Sequence, residues 1–273
     1  MSITIHDLAA RKISGPPITM LTAYDYPTAL ALDESGIDVL LVGDSVGTNV
    51  LGYESEQQVT VEDMVHHTKA VRRGVRNAFV LSDLPYASYE TPGQAIKTAQ
   101  RLREAGADGV KVEGAIPDVI RAIKQLGIPI CNHLGMMPQT LANAAVQGKT
   151  FLAAKVLVEQ CLESEAAGSD MFVLELIPRQ LAKIVTEQVN IPTIGIGAGP
   201  YATGQVLVIN DIVGITRKAV RHTARYAEFA ADLRAAAAKY KEVVQHGNFP
   251  KPSNSVSMDA HELALLQEWL TTK

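Results

Sequence analysis

Cysteine is scarce: two residues in 273, Cys131 and Cys161, lie far apart and in apolar surroundings. That scarcity excludes a disulfide-stapled scaffold and a thiolate zinc site, and predicts two buried free thiols in a reducing compartment. A basic excess is also missing. Lys and Arg number 25 against 29 Asp and Glu, a formal charge of −4, and the cations are scattered. Nucleic acid and anionic membrane surfaces are therefore not expected partners. No uninterrupted apolar run approaches the ~18 residues of a membrane helix. The opening MSITIHDLAARK has no apolar core of signal-peptide length. A cytoplasmic location follows by default. What remains, 47% hydrophobic and 20% charged residues, is ordinary for a soluble globular chain.

Apolar, β-branched runs alternate with longer helical patterns. Strand-like segments fall at 17–25, 37–45, 78–85, 109–114, 128–135, 170–178, 191–199 and within 204–215. Helical patterns fall between them at 27–36, from Thr60 onward, and at 91–105, 117–126, 150–167, 179–188 and about 219–244. Thr60 is a candidate N-cap with acids in the following turn, and Pro92 and Gly106 mark the start and end of one helix. Units near thirty residues, repeated eight times, predict parallel βαβ crossovers and a (β/α)8 TIM barrel. A doubly wound open sheet is the runner-up. The run GIGAG (195–199) lacks the G-x-G-x-x-G spacing and meets Pro200 instead of opening a helix, which argues against a dinucleotide site. The expected organisation is one catalytic barrel over residues 1–250, followed by a linker and helix at 251–273. That segment is expected to pack on the barrel or on a neighbouring subunit.

Several strand candidates end in polar groups: VLLVGDS in Asp44 and Ser45, VLSD in Asp83, VKVEG in Lys111 and Glu113, ICNH in His133, FVLEL in Glu175. Each alone is more often a cap, a solvated charge or a satisfied core residue. In a barrel, however, all these ends meet at one mouth. So many carboxylates with one Lys and one His would repel or desolvate one another without a cation or ligand. The oxygen-rich set favours a hard, Mg²⁺-like ion. Such an ion polarises a 2-oxo acid, and a carboxylate opposite, its pKa raised by partial desolvation, could act as base. Lys111 and His133 are candidates for the substrate carboxylate or a developing oxyanion. The residues thus point to metal-assisted enolisation or a carbon–carbon bond reaction.

The segments TAYDYP (22–27), LLVGDSVG (40–47), VLGYES (50–55), VTVEDMVHHTKAVRRG (59–74), LSDLPYASY (81–89) and GADGVKVEG (106–114) resemble the ketopantoate hydroxymethyltransferase family. So do VLELIP (173–178), IPTIGIGAG (191–199), GQVLV (204–208) and NFPKP (248–252), in family order over roughly 15–255. The resemblance implies transfer of the one-carbon unit of 5,10-methylenetetrahydrofolate to 3-methyl-2-oxobutanoate, giving 2-dehydropantoate for pantothenate synthesis. It implies Mg²⁺ on Asp44 and Asp83, with Glu113 as a nearer or water-bridged third ligand; Mn²⁺ or Co²⁺ would suit the same oxygens. Those two aspartates, with Ser45, Lys111 and His133, would hold the keto acid, and Glu175 would abstract its C3 proton. Homo-oligomers, commonly decamers, belong to the same implication.

Three features depart from the family pattern. The stretch MPQTLANAAVQGK (137–149) is about three residues short and lacks a Gly-Gly-Tyr element. Thr203 stands where an Asp is usual, and Asn210 where a His is usual. A paralogue with a shifted 2-oxo acid substrate and a catalytically silent keto-acid-binding barrel are the alternatives. Lyase chemistry is disfavoured because the region after the fourth strand carries no Cys-containing loop.

Overall fold

Segments such as Val39–Val42 and Phe79–Asp83 are buried at every residue. Backbone of that kind needs cover on both faces, which parallel strands inside a ring of helices receive. The computed structural model describes residues 2–140, 145–216 and 222–273. Its strands are β1 (Ile18–Thr22), β2 (Val39–Val42), β3 (Phe79–Asp83), β4 (Gly109–Glu113), β5 (Ile130–Gly135), β6 (Met171–Glu175), β7 (Thr193–Ile196) and β8 (Gly204–Leu207). They form a closed parallel barrel in chain order. β1 pairs with both β2 and β8, so the open-sheet alternative is excluded.

The helices are α1 (Ile5–Ala10), α2 (Tyr26–Glu34), α3 (Val61–Gly74), α4 (Pro92–Glu104), α5 (Pro117–Lys124), α6 (Phe151–Ala167), α7 (Arg179–Gln188), α8 (Ile209–Ile212), α9 (Phe229–Gln245) and α10 (Ala260–Thr271). Their starts follow local chemistry. Thr60 caps α3 in a capping box with Asp63, and Thr91 caps α4 with Gln94, each satisfying amide donors that a first helical turn leaves free. Gly168 ends α6 at φ 115°, a left-handed conformation that costs a side-chain-bearing residue strain. Strand alternation divides the core. Val39, Leu41, Phe79, Leu81, Met171, Val173 and Ile194 pack with Leu8 of α1 in one cluster. Their neighbours Leu40, Val42, Val80, Val110 and Val112 pack with Met64 and Val71 of α3 and Ile120 and Ile123 of α5.

Most strands are shorter than the apolar runs suggested, because runs such as 17–25, 37–45 and 170–178 continue past the strand end into the loops at the mouth. GIGAG forms the end of β7 and a turn, with Gly197 and Gly199 at positive φ. Two elements carry no periodic signal: α1 and a π-helical turn at Gly47–Leu51. The helix expected from about 219 begins at Phe229; residues 217–221 lie outside the described residues, as do residues 141–144 of the shortened stretch. The chain forms two compact units, Met1–Tyr226 and Ala227–Lys273. The second holds α9 and α10, neither of which has a buried residue.

Candidate active site

Parallel register builds the site. Asp83 at the end of β3 lies beside Lys111 of β4, Glu113 lies beside His133 of β5, and Gly135 lies beside Glu175 of β6. β2 ends one residue before Gly43, so Asp44 and Ser45 stand on the turn that follows it. A Cβ on Gly43 would sit 2.8 Å from Ser45 Oγ, so a larger residue here would have to turn that hydroxyl away from Tyr24. All seven predicted residues, Asp44, Ser45, Asp83, Lys111, Glu113, His133 and Glu175, line one cavity of about 220 Å³. Leu41, Val173, Ile196 and Val206 give it an apolar wall.

The charges are tightly linked. Lys111 Nζ lies 2.8 Å from Asp83 Oδ2, with both side chains nearly inaccessible. The Asp44 amide donates to the same oxygen at 3.1 Å. His133 stands between two carboxylates, Nδ1 3.2 Å from Glu113 Oε1 and Nε2 3.4 Å from Glu175 Oε2. Neither contact is aligned as a hydrogen bond, so the attraction is mainly that of charges. Burial alone would lower the His133 pKa; Glu113 and Glu175 outweigh it and push the imidazole up to about 9. Burial acts on Lys111 in the same sense, and Asp83, Asp44 and Glu113 overcome it, raising its pKa. Burial would also raise Glu113, but His133, Lys111 and the Gln139 amide hold it below the usual range. Asp44 goes the other way: burial, then Asp83, push it well above an ordinary carboxyl.

Three residues without a sequence-derived role complete the site. Gln139, 1% exposed, donates from Nε2 to Asp44 Oδ2 at 2.6 Å and to the Leu84 carbonyl at 3.0 Å. Its backbone N–H donates to Glu113 Oε2 at 3.1 Å, and the Tyr89 hydroxyl donates to its Oε1. Tyr24 pairs its hydroxyl with Ser45 Oγ at 2.9 Å; burial, opposed by that bond, pushes the phenol up to about 12. Gln139 lies in the shortened stretch, while Tyr24 and Tyr89 lie inside the quoted motifs. None sits in a periodic pattern, so only their neighbours in space reveal them. Of the two single-residue departures, Thr203 bonds Thr193 at the start of β7, away from the strand ends that carry the site. Asn210 follows β8 and donates to the carbonyl of Asn49, which lines the cavity.

Fold and site together define a (β/α)8 barrel with an acidic mouth whose carboxylates surround Lys111 and His133. The fold is shared with a phosphoenolpyruvate phosphomutase from Streptomyces platensis subsp. rosaceus at TM-score 0.61 and 12% identity, covering 98% of each chain. A 2,3-dimethylmalate lyase is similar at TM-score 0.56 and 17% identity, covering 100% of this chain and 98% of the other. Residues 2–252 match the family described as ketopantoate hydroxymethyltransferase, and the chain belongs to that family. A 3-methyl-2-oxobutanoate hydroxymethyltransferase of Roseiflexus sp. (strain RS-1) is 45% identical, covering 99% of this chain and 100% of its own. That of Dehalococcoides mccartyi (strain ATCC BAA-2266 / KCTC 15142 / 195) is 43% identical over the full length of both.

Proposed function

We propose that this enzyme moves the one-carbon unit of 5,10-methylenetetrahydrofolate, with water, onto C3 of 3-methyl-2-oxobutanoate, giving 2-dehydropantoate and tetrahydrofolate. The convergence of Asp44, Asp83, Lys111, His133 and Glu175 on one cavity carries the reading. The donor set fits a hard divalent cation such as Mg²⁺. Asp83 Oδ1 is buried with no hydrogen-bond partner, and burial, then Asp83, hold the Asp44 pKa well above the usual carboxyl range. Among the described residues no group of three His, Cys, Asp or Glu is placed to hold a metal ion, so the proposed site rests on two carboxylates, with the remaining positions of a Mg²⁺ ion left to water and substrate. Asp44 and Asp83 would hold the ion, and Glu113, occupied by His133 and the Gln139 amide, would reach it through water. When bound, the cation supplies Lewis-acid polarisation of the keto group.

The side chains do the rest. Lys111 and Ser45 bind the substrate carboxylate, and Lys111 stays charged because the acids around it outweigh its burial. Glu175 takes the C3 proton. Water opens the folate's methylene bridge, breaking both C–N bonds and releasing tetrahydrofolate and a formaldehyde-level carbon. The electron-rich C3 bonds to that carbon, whose oxygen takes up a proton to become the hydroxyl. His133, charged at neutral pH between Glu113 and Glu175, orients the base and offers a positive charge to the oxygen that gains electron density. Leu41, Val173, Ile196 and Val206 receive the branched alkyl group. A homo-oligomer, a decamer by family analogy, would cover the large apolar side chains that α10 exposes, Leu265, Leu266, Trp269 and Leu270 among them. The test is exchange of the substrate's C3 proton in D₂O with Mg²⁺ and without folate. Wild type should exchange, and Glu175→Gln should bind the keto acid without exchanging it. Full exchange by Glu175→Gln would remove Glu175 as the base.

A further inference from the structure

We infer that Gln139 is a positioning residue for the cation: its amide fixes the Asp44 carboxylate so that Asp44 and Asp83 present oxygens to one point. The inference rests on the two-aspartate reading of the cation site. It is carried by the way Gln139 is held. A primary amide has two N–H donors and one carbonyl acceptor. Here one N–H goes to Asp44 Oδ2 and the other to the Leu84 carbonyl. The Tyr89 hydroxyl donates to Oε1 and also accepts the Glu113 amide at 3.3 Å. The backbone is committed as well, its N–H to Glu113 Oε2 and its carbonyl to Gln57 Nε2 at 2.7 Å.

This network has one orientation. Leu84 O can only accept, so turning the amide over would set Oε1 against a carbonyl and a carboxylate and leave Nε2 facing the Tyr89 hydroxyl. Asp44 Oδ2 is thereby pinned from outside the cavity. Asp83 Oδ2 is pinned by Lys111 and the Asp44 amide, while its Oδ1 remains without a partner. The two carboxylates are thus fixed by different donors, one of them Gln139, before any ion arrives. Outer groups that orient metal-binding side chains typically change metal affinity 10–100-fold when removed.

Mn²⁺ titration of the substrate-free protein, followed by the free-ion electron paramagnetic resonance signal, tests this without any turnover. Wild type should bind Mn²⁺ and Asp83→Asn should lose that binding. Gln139→Met, close in volume but unable to donate, should weaken binding about 10–100-fold with an unchanged far-ultraviolet circular dichroism spectrum. Tyr89→Phe, which keeps both amide hydrogens but frees their orientation, should weaken it by a smaller factor. A folded Gln139→Met protein binding within twofold of wild type would overturn the role of Gln139 and leave the two-aspartate reading intact. Should Gln139→Met fail to fold, Tyr89→Phe decides, and unchanged affinity there also overturns the inference. A wild-type protein that does not bind Mn²⁺ would bring down the two-aspartate reading and this inference with it.

Discussion

Replacing Lys111 by Met removes the cation packed among Asp83, Asp44 and Glu113, and its cost can be worked from the geometry. Lys111 Nζ sits 2.8 Å from Asp83 Oδ2, and the two side chains are 6% and 2% exposed. At an effective dielectric of ~20 that pair alone attracts by about 6 kcal/mol. Part of this is returned, since Lys111 no longer has to be stripped of water. Breaking one partner of a buried pair therefore costs about 3–5 kcal/mol net. Against a total stability of about 5–15 kcal/mol, Lys111→Met should lower the urea midpoint markedly when unfolding is followed by circular dichroism in EDTA. The cycle with Asp83→Asn separates charge from packing. Met at 111 faces a neutral amide in the double variant, so the two changes together should cost at least about 1.5 kcal/mol less than their sum. A loss below about 1 kcal/mol for Lys111→Met, or changes additive within about 0.5 kcal/mol, would refute the view that this lysine holds the acidic mouth together.

Other outcomes follow from groups inside and outside the site. Asp33 accepts the backbone N–H groups of Arg76, Asn77 and Ala78, tying α2 to the segment before β3. Asp33→Ala should cost about 2–4 kcal/mol in urea unfolding, with substrate affinity unchanged in the folded fraction. Burial alone would raise the Asp33 pKa, but those bonds outweigh it and hold it below 3.8. Its contribution should be full above the unfolded value and fade as pH falls through the lower folded one, so Asp33→Asn should flatten part of the acid limb; an acid limb identical to wild type would contradict this. Burial pushes the thiols of Cys131 and Cys161 up to about 12, so native protein at pH 8 should resist a thiol reagent and denatured protein should titrate two groups. Gly135 has φ 100°, and a Cβ there would lie 2.3 Å from the Glu175 carbonyl, so Gly135→Ala should slow C3 exchange more than tenfold by displacing Glu175. An unchanged rate would count against Glu175 as the proposed base.

What could be read from the chain and what could not divide along a physical line. The barrel was legible because its signals are local. Runs of strand length, Thr60 ahead of α3, and Pro92 and Gly106 at the two ends of α4 each act within a few residues. The polar ends were legible for a related reason. Asp83, Lys111, Glu113, His133 and Glu175 lie on strands, and parallel register alone makes neighbours of Asp83 with Lys111 and Glu113 with His133. Gln139, Tyr24 and Tyr89 act from loops, where no period constrains the side chain and the partner is chosen by the closed barrel. The turn at Gly47–Leu51 was not legible either: a Cβ on Gly47 would meet Val59 at 2.6 Å, so its shape is set by the packing of the loop that follows β2 and not by a periodic pattern.

The division also bears on the proposed cation site. Strands deliver carboxylates to the mouth at fixed heights but leave their oxygens free to turn, and acids this close repel. Lys111 turns one of them, Asp83, and its charge partly offsets the repulsion. Asp44 stands beyond the last bond of its strand, and its amide is tied to the acid that opposes it. Its carboxylate needs a neutral donor, because a second cation would compete with any metal for the same oxygens. An amide clamped between Leu84 and Tyr89 is such a donor, and it adds no charge to the site. The acidic mouth thus combines strand-borne charge, set by register, with loop-borne neutral hydrogen bonds, set by closure of the barrel.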